Sequence, residues 1–202
     1  MKLEQFASVT QGVFLSRVQT VPVMEEEKST LCKYSLYSMK EMNEWLSPDP
    51  NITSEGSQDV YVAIDRIGTL PIAKEGWVLI SLTSQRAVAL QQEHVGKLIP
   101  SNFAIIEPIE GLYSDYLEWF INEHPDCRKQ LKVATQGSSV AALSIQMLRT
   151  LDIILPPMSD QIKVGSVHRL LHRKNRLLQE RIVLEQQYAR HIMMRYIKEE
   201  FK

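Results

Sequence analysis

The 202-residue sequence is 44% hydrophobic and 23% charged, the balance of a globular protein, and it holds no apolar run of the ~18 residues a membrane span needs. Its length suits one ordinary domain with an extension and is short for two full domains. The formal net charge of −1 hides an asymmetry, because residues 1–162 carry 13 Lys and Arg against 20 Asp and Glu while residues 163–202 carry 10 against 4, so an acidic body leads into a basic tail.

The opening "MKLEQFASVTQG" places Glu4 early and has no apolar block of signal-peptide length, so the expected location is cytoplasmic. Cys32 and Cys127 stand 95 positions apart with no second thiol near either, a spacing that fits neither a zinc knuckle nor a disulfide framework, and both read as reduced thiols.

Short β-runs dominate the first hundred residues. "STLCKYSLYSM" alternates Cys32, Tyr34 and Leu36 with Lys33, Ser35 and Tyr37, and "DVYVAI" and "WVLISL" are rich in residues that fit a pleated surface. Between the first two lies "SPDPNITSEGS", residues 47–57, whose Pro, Asp, Asn and Gly content marks an exposed loop. Trp45, Trp77 and Trp119 are expected in the core.

The period then changes to helical. Tyr116, Leu117, Phe120 and Ile121 share a helix face, with Ser114 or Asp115 as N-cap, and Pro125 bends or ends that helix. A short helix starting near Ser139 or Ser144 carries Leu143, Ile145, Met147 and Leu148.

"LDIILPPMSDQIKVGSVHRLL", residues 151–171, runs an apolar segment into two prolines and then into a helical pattern that continues to Lys202. Pro156 and Pro157 force an extended entry, and Ser159 or Asp160 is expected to cap the helix. In heptads the helix puts Val164, Leu171, Leu178, Glu185 and Ile192 at one seam position and His168, Asn175, Ile182, Ala189 and Tyr196 at the other, with Leu170, Leu177 and Leu184 on one flank. Forty helical residues extend roughly 60 Å, beyond what a 160-residue body can cover. The stripe therefore calls for a partner helix, and Asn175 and Glu185 in the seam would fix its register. The plain alternative is a helix docked along its own body. His168 reads as a tolerated interface residue, since no Cys or carboxylate stands beside it in sequence at metal spacing, and no metal is expected. Arg169, Arg173, Lys174 and Arg176 either reach phosphates or form a solvated face for an acidic partner.

The order of these pieces is familiar. "GLYSDYLEWFIN", followed by Gly137, Ser138 and Ser139, Leu143 and Leu148, then Leu155, Pro156, Pro157 and Gln161, resembles the end of a target-recognition domain and the elbow into the conserved helix of the DNA-specificity subunits of type I restriction-modification systems. "LEQFASVTQGVFLSR" is similar to that family's opening segment, and "EGWVLISLTSQRAVAL" to its strand and loop, with Gln85 and Arg86 where a glycine is usual. The resemblance spans nearly the whole chain. It departs from the typical subunit in having one recognition domain and one helix in place of two of each, the form of a half-subunit.

The resemblance implies an α+β fold, with a β-rich DNA target-recognition domain over residues 1–155 and a long spacer helix over residues 156–202 that pairs as an antiparallel coiled coil. It implies a chain without catalysis or cofactor that reads one half of a bipartite site in double-stranded DNA and docks a DNA methyltransferase subunit, with or without a restriction subunit. By motif position the DNA-contacting residues would be Gln11, Arg17, Thr83, Ser84, Gln85, Arg86, Lys97, Ser101 and Asn102, each otherwise an ordinary polar loop residue. Ser138 and Ser139 either contact the sugar-phosphate backbone or cap the next helix. Pairing with a second copy or another half-subunit would use Val164, Leu171, Asn175, Leu178, Ile182, Ala189, Ile192 and Tyr196. The acidic body predicts weak DNA binding without the methyltransferase. The competing reading is a coiled-coil dimeric adaptor without DNA recognition. No nucleophile elbow, phosphate-binding glycine loop or methyltransferase motif is present.

Overall fold

The computed structural model describes residues 1–20, 31–46, 58–135 and 142–200, with side chains through Ile197. The fold is α+β, with a β-rich body and a long C-terminal helix. Among the described residues six strands, β1 (Ala7–Gln11), β2 (Leu31–Ser35), β3 (Asp59–Ala63), β4 (Val78–Ser81), β5 (Ala87–Ala89) and β6 (Phe103–Pro108), are joined by α1 (Leu15–Val18), α2 (Met39–Leu46), α3 (Ser114–Glu123), α4 (Pro125–Thr135), α5 (Ile145–Arg149) and α6 (Met158–Glu200).

The main sheet is antiparallel in the order β1-β6-β4-β5, and β2 and β3 form a separate hairpin-like pair. Because side chains alternate across a strand, β4 and β6 serve two cores at once. Val78, Ile80, Ala104 and Ile106 face Leu117, Phe120, Ile121 and Leu148 on one side. Leu79, Phe103 and Ile105 face Tyr37, Met42 and Ile99 on the other. This two-sided burial is why "VLIS" is apolar without alternation. A third cluster, Leu36, Val60, Val62 and Leu98, sits under the β2–β3 pair.

An exposed sheet edge leaves backbone groups unpaired and invites association. Here side chains cover both edges. On β5 the buried Asn122 carboxamide accepts the Ala87 N–H at 2.9 Å and donates to the Ala87 carbonyl at 2.8 Å, while a Glu118 oxygen accepts the Ala89 N–H at 2.9 Å. On β1 the Arg149 guanidinium donates to the Val9 carbonyl at 2.9 and 3.2 Å.

Three local expectations, at Ser114 or Asp115, at Ser159 or Asp160 and at the tryptophans, need correction, whereas Pro125 and Ser144 act as the sequence suggests. Ser114 is the first residue of α3, after an N-cap at Tyr113; its hydroxyl donates to the Gly76 carbonyl, and the Asp115 carboxylate turns to Arg169 at 3.1 Å. Ser159 and Asp160 lie inside the first turn of α6, whose Asp160 and Gln161 N–H groups reach the Pro157 carbonyl at 2.9 and 3.1 Å; Asp160 pairs with Lys163 at 2.9 Å instead of capping. The three tryptophans are half-buried at the margins of the cores. Pro125 ends one helix by opening the next, at a position where its missing N–H costs nothing. Ser144 caps α5, accepting the Met147 N–H at 3.2 Å. The loop at 47–57 and the Gly137–Ser139 stretch lie outside the described residues.

Candidate functional site

Antiparallel order brings the ends of β1 and β4 and the starts of β5 and β6 to one rim of the main sheet. Gln11 leaves β1 there, and its carboxamide donates to the Ser101 carbonyl at 2.7 Å. Leu82, just past β4, donates its N–H to the Asn102 carbonyl at 3.0 Å. The rim thus gathers Gln11, Thr83, Ser84, Ser101 and Asn102 from three separate stretches; all are exposed except the half-buried Ser101. Gly12 is required where the chain crosses the segment that leads into β6, because a Cβ there would lie 2.2 Å from the Pro100 carbonyl oxygen. Such a rim presents hydroxyls and carboxamides able to donate and accept, the equipment of groove-edge readout.

Of the other six expected contact residues, Ser138 and Ser139 lie outside the described residues, and four are engaged away from the rim. Gln85 takes the left-handed conformation (φ +56°) that glycine adopts without penalty, and its side chain turns to Thr135 on α4 at 3.2 Å while Arg128 donates to its carbonyl at 2.9 Å. Arg86 faces α6, lining a groove with Trp119, Glu123, His168, His172 and Asn175. Lys97 is ion-paired with Glu41 of α2. The Arg17 guanidinium lies over the Phe14 ring, 4.9 Å from its centre.

The root of α6 is fixed to α3. Gln161, 1% exposed, accepts the Tyr113 N–H at 3.0 Å and donates to the Gly111 and Pro156 carbonyls at 2.9 and 3.0 Å. The Tyr116 hydroxyl holds the Ile154 carbonyl ahead of the elbow at 2.7 Å. Gly165 lets the two helices touch, since a Cβ there would lie 2.8 Å from the Tyr116 backbone nitrogen. Farther along, α6 leaves the body. Leu171, Leu178, Ile182 and Tyr196 are 53%, 46%, 45% and 66% exposed, Asn175 and Ala189 are exposed, Ile192 is half-buried, and of the expected seam Val164 packs on the body core while His168 is buried against α3.

His168, read from the sequence as a tolerated interface residue, faces its own body instead. It is buried, with Nε2 3.5 Å from a Glu118 oxygen of α3 and 3.1 Å from the His172 Nε2 one turn along. The carboxylate missing from its sequence neighbourhood arrives from another helix, 50 positions back. Glu118 is itself held by the Trp45 indole N–H at 3.0 Å and the Ala89 N–H. Trp45 stacks on the His172 ring, and burial together with the neighbouring His168 lowers the His172 pKa. The three residues offer ligand atoms within 4.8 Å of one another. The His168/His172 spacing was readable in the sequence; the partner was not.

Neither a family model nor a curated protein sequence matches the chain. Solved structures do. The chain has the fold of type I restriction-modification S subunits. The similar structures include the HsdS subunit from Thermoanaerobacter tengcongensis (15% identity, TM-score 0.50, 90% of this chain and 39% of that one). A second is the S subunit from M. genitalium (11%, 0.51, 95% and 43%). A third comes from work on complex assembly and conformational transition of the type I R-M system (16%, 0.54, 95% and 42%). The chain therefore spans about two fifths of the length of the structures it matches. Among the described residues no helix is long and apolar enough to cross a membrane.

Proposed function

We propose that this chain is a DNA sequence-recognition subunit of a type I restriction-modification system, reading one half of a bipartite site and performing no catalysis itself. The observation that carries this reading is a polar rim, built from Gln11, Thr83, Ser84, Ser101 and Asn102, on a body that shares its fold with type I S subunits. Arg17, Gln85, Arg86 and Lys97 take supporting roles at most, given their partners in the body. The helix then acts as the spacer. From Leu177 to Ile197 all side chains except the half-buried Val183 and Ile192 are exposed, a stretch suited to pairing with the same stretch of a second copy or of another half-subunit. Two-fold pairing would require a palindromic split site. The acidic body implies that a DNA methyltransferase subunit supplies much of the phosphate contact.

Selection from a randomised duplex pool, with and without the methyltransferase, tests this reading. Enrichment of a split motif that is lost on Gln11→Ala plus Asn102→Ala supports it. Absence of enrichment in both conditions leaves the coiled-coil adaptor.

A further inference from the structure

We propose that Glu118, His168 and His172 form a zinc site that clamps α6 to α3. Zinc binds imidazole nitrogen at about 2.0–2.1 Å and carboxylate oxygen at about 2.0–2.2 Å in a tetrahedron, which sets ligand atoms roughly 3.3–3.5 Å apart. The His168 Nε2 stands 3.5 Å from the Glu118 oxygen and 3.1 Å from the His172 Nε2, and all three ligand atoms fall within 4.8 Å. Histidines four apart on a helix share one face, so the pair chelates without a change of backbone.

The surroundings match those of a built site. Metal-binding carboxylates are held by outer hydrogen bonds that fix their aim, and here the Trp45 indole and the Ala89 N–H each donate to one Glu118 oxygen, at 3.0 and 2.9 Å. His168 and His172 border a groove of about 680 Å3, room for a water to complete four-coordination. Two imidazoles and one carboxylate favour a borderline-soft transition ion over magnesium or calcium, which select oxygen ligands. The ion would tie two helices already joined at Gln161, at Gly165 and by the Arg169–Asp115 ion pair, and so act on the angle of the rod rather than on any reaction. This assignment replaces the metal-free expectation drawn from the sequence and is independent of the DNA reading.

The test is calorimetric titration of the chelator-treated full chain with zinc(II), alongside cobalt(II) as a spectroscopic stand-in. Wild type should take up one zinc, show the intense visible bands of four-coordinate cobalt, gain thermal stability with zinc and ignore magnesium. His172→Gln should weaken zinc binding roughly 100-fold or more, while His191→Gln, at an exposed position of the same helix, should leave it unchanged. Equal affinity in His172→Gln overturns the site. So does a wild-type protein that gives no four-coordinate cobalt spectrum, a reading that stands even if a variant fails to fold; the histidines would then be joined by a hydrogen bond alone.

Discussion

Gln161 reaches back across the elbow and accepts the backbone N–H of Tyr113 at 3.0 Å. Its amide also donates to the carbonyls of Gly111 and Pro156, so one buried side chain ties the entry of α3, the loop before it and the proline pair.

Replacing Gln161 with Ala takes the protein partner from the half-buried Tyr113 N–H and Pro156 carbonyl and from the exposed Gly111 carbonyl. A buried unsatisfied polar group costs about 1–3 kcal/mol, and because one of the three is exposed and two are half-buried, roughly 1–2 kcal/mol is expected for the set. Urea denaturation should show it as a lower midpoint; an unchanged midpoint would mean water replaces the carboxamide fully.

Gly165→Ala sets two effects against each other. Alanine gains about 1 kcal/mol in helix propensity, yet its Cβ would fall 2.8 Å from a backbone nitrogen and 2.9 Å from the Asp115 Cβ. Backbone cannot rotate away as a side-chain tip can, and overpacking of this kind costs roughly 1–3 kcal/mol. Net destabilisation is expected, and a stabilised variant would show the two helices sit farther apart than described.

Burial lowers the pKa of His94 from its ordinary value, with Lys97 adding to that effect and Glu93, Glu41 and Glu118 opposing it. Its Nδ1 accepts the Gln91 N–H at 3.2 Å, a bond that protonation abolishes. The unfolded chain therefore binds a proton more readily than the folded one, and stability falls as the pH drops below the ordinary histidine pKa of about 6.5. In His94→Asn the side-chain oxygen can keep the bond and cannot titrate. Measured from about pH 7.5 to about pH 5, wild type should lose stability relative to this variant; parallel curves would count against the assignment.

Leu171→Glu combined with Leu178→Glu changes two half-exposed positions and should leave the body folded. If α6 pairs with a second helix along this face, light scattering will report a dimer for wild type and a monomer for the double variant. A dimer in both would move the pairing face elsewhere.

The rod, the break at Pro125, the Ser144 cap and strands β2, β3 and β4 were legible because each carries its own local signal. Strands β1, β5 and β6 were not. Ser8, Thr10 and Gln11 leave "ASVTQ" mostly polar, and β5 has only three residues, its edge completed by the side chains of Asn122 and Glu118. The rim residues were found through the order of motifs, yet nothing in that order told that Gln85 turns inward or that Lys97 has a partner. Glu118, His168 and His172 escaped for a related reason: their meeting depends on two helices crossing where Gly165 allows it, a property of no single segment.

The stretch of α6 beyond Arg176 behaves as a lever whose fulcrum is the Gln161–Gly165 joint. From Gly165 the 35 residues to Glu200 reach roughly 52 Å at 1.5 Å per residue, so a tilt of about 4° at the fulcrum swings the far end by about 3.7 Å, close to the ~3.4 Å stacking rise of DNA. Whatever α6 carries at its tip is aimed by a handful of buried atoms at its base, and loosening those atoms would blur its position by one base step.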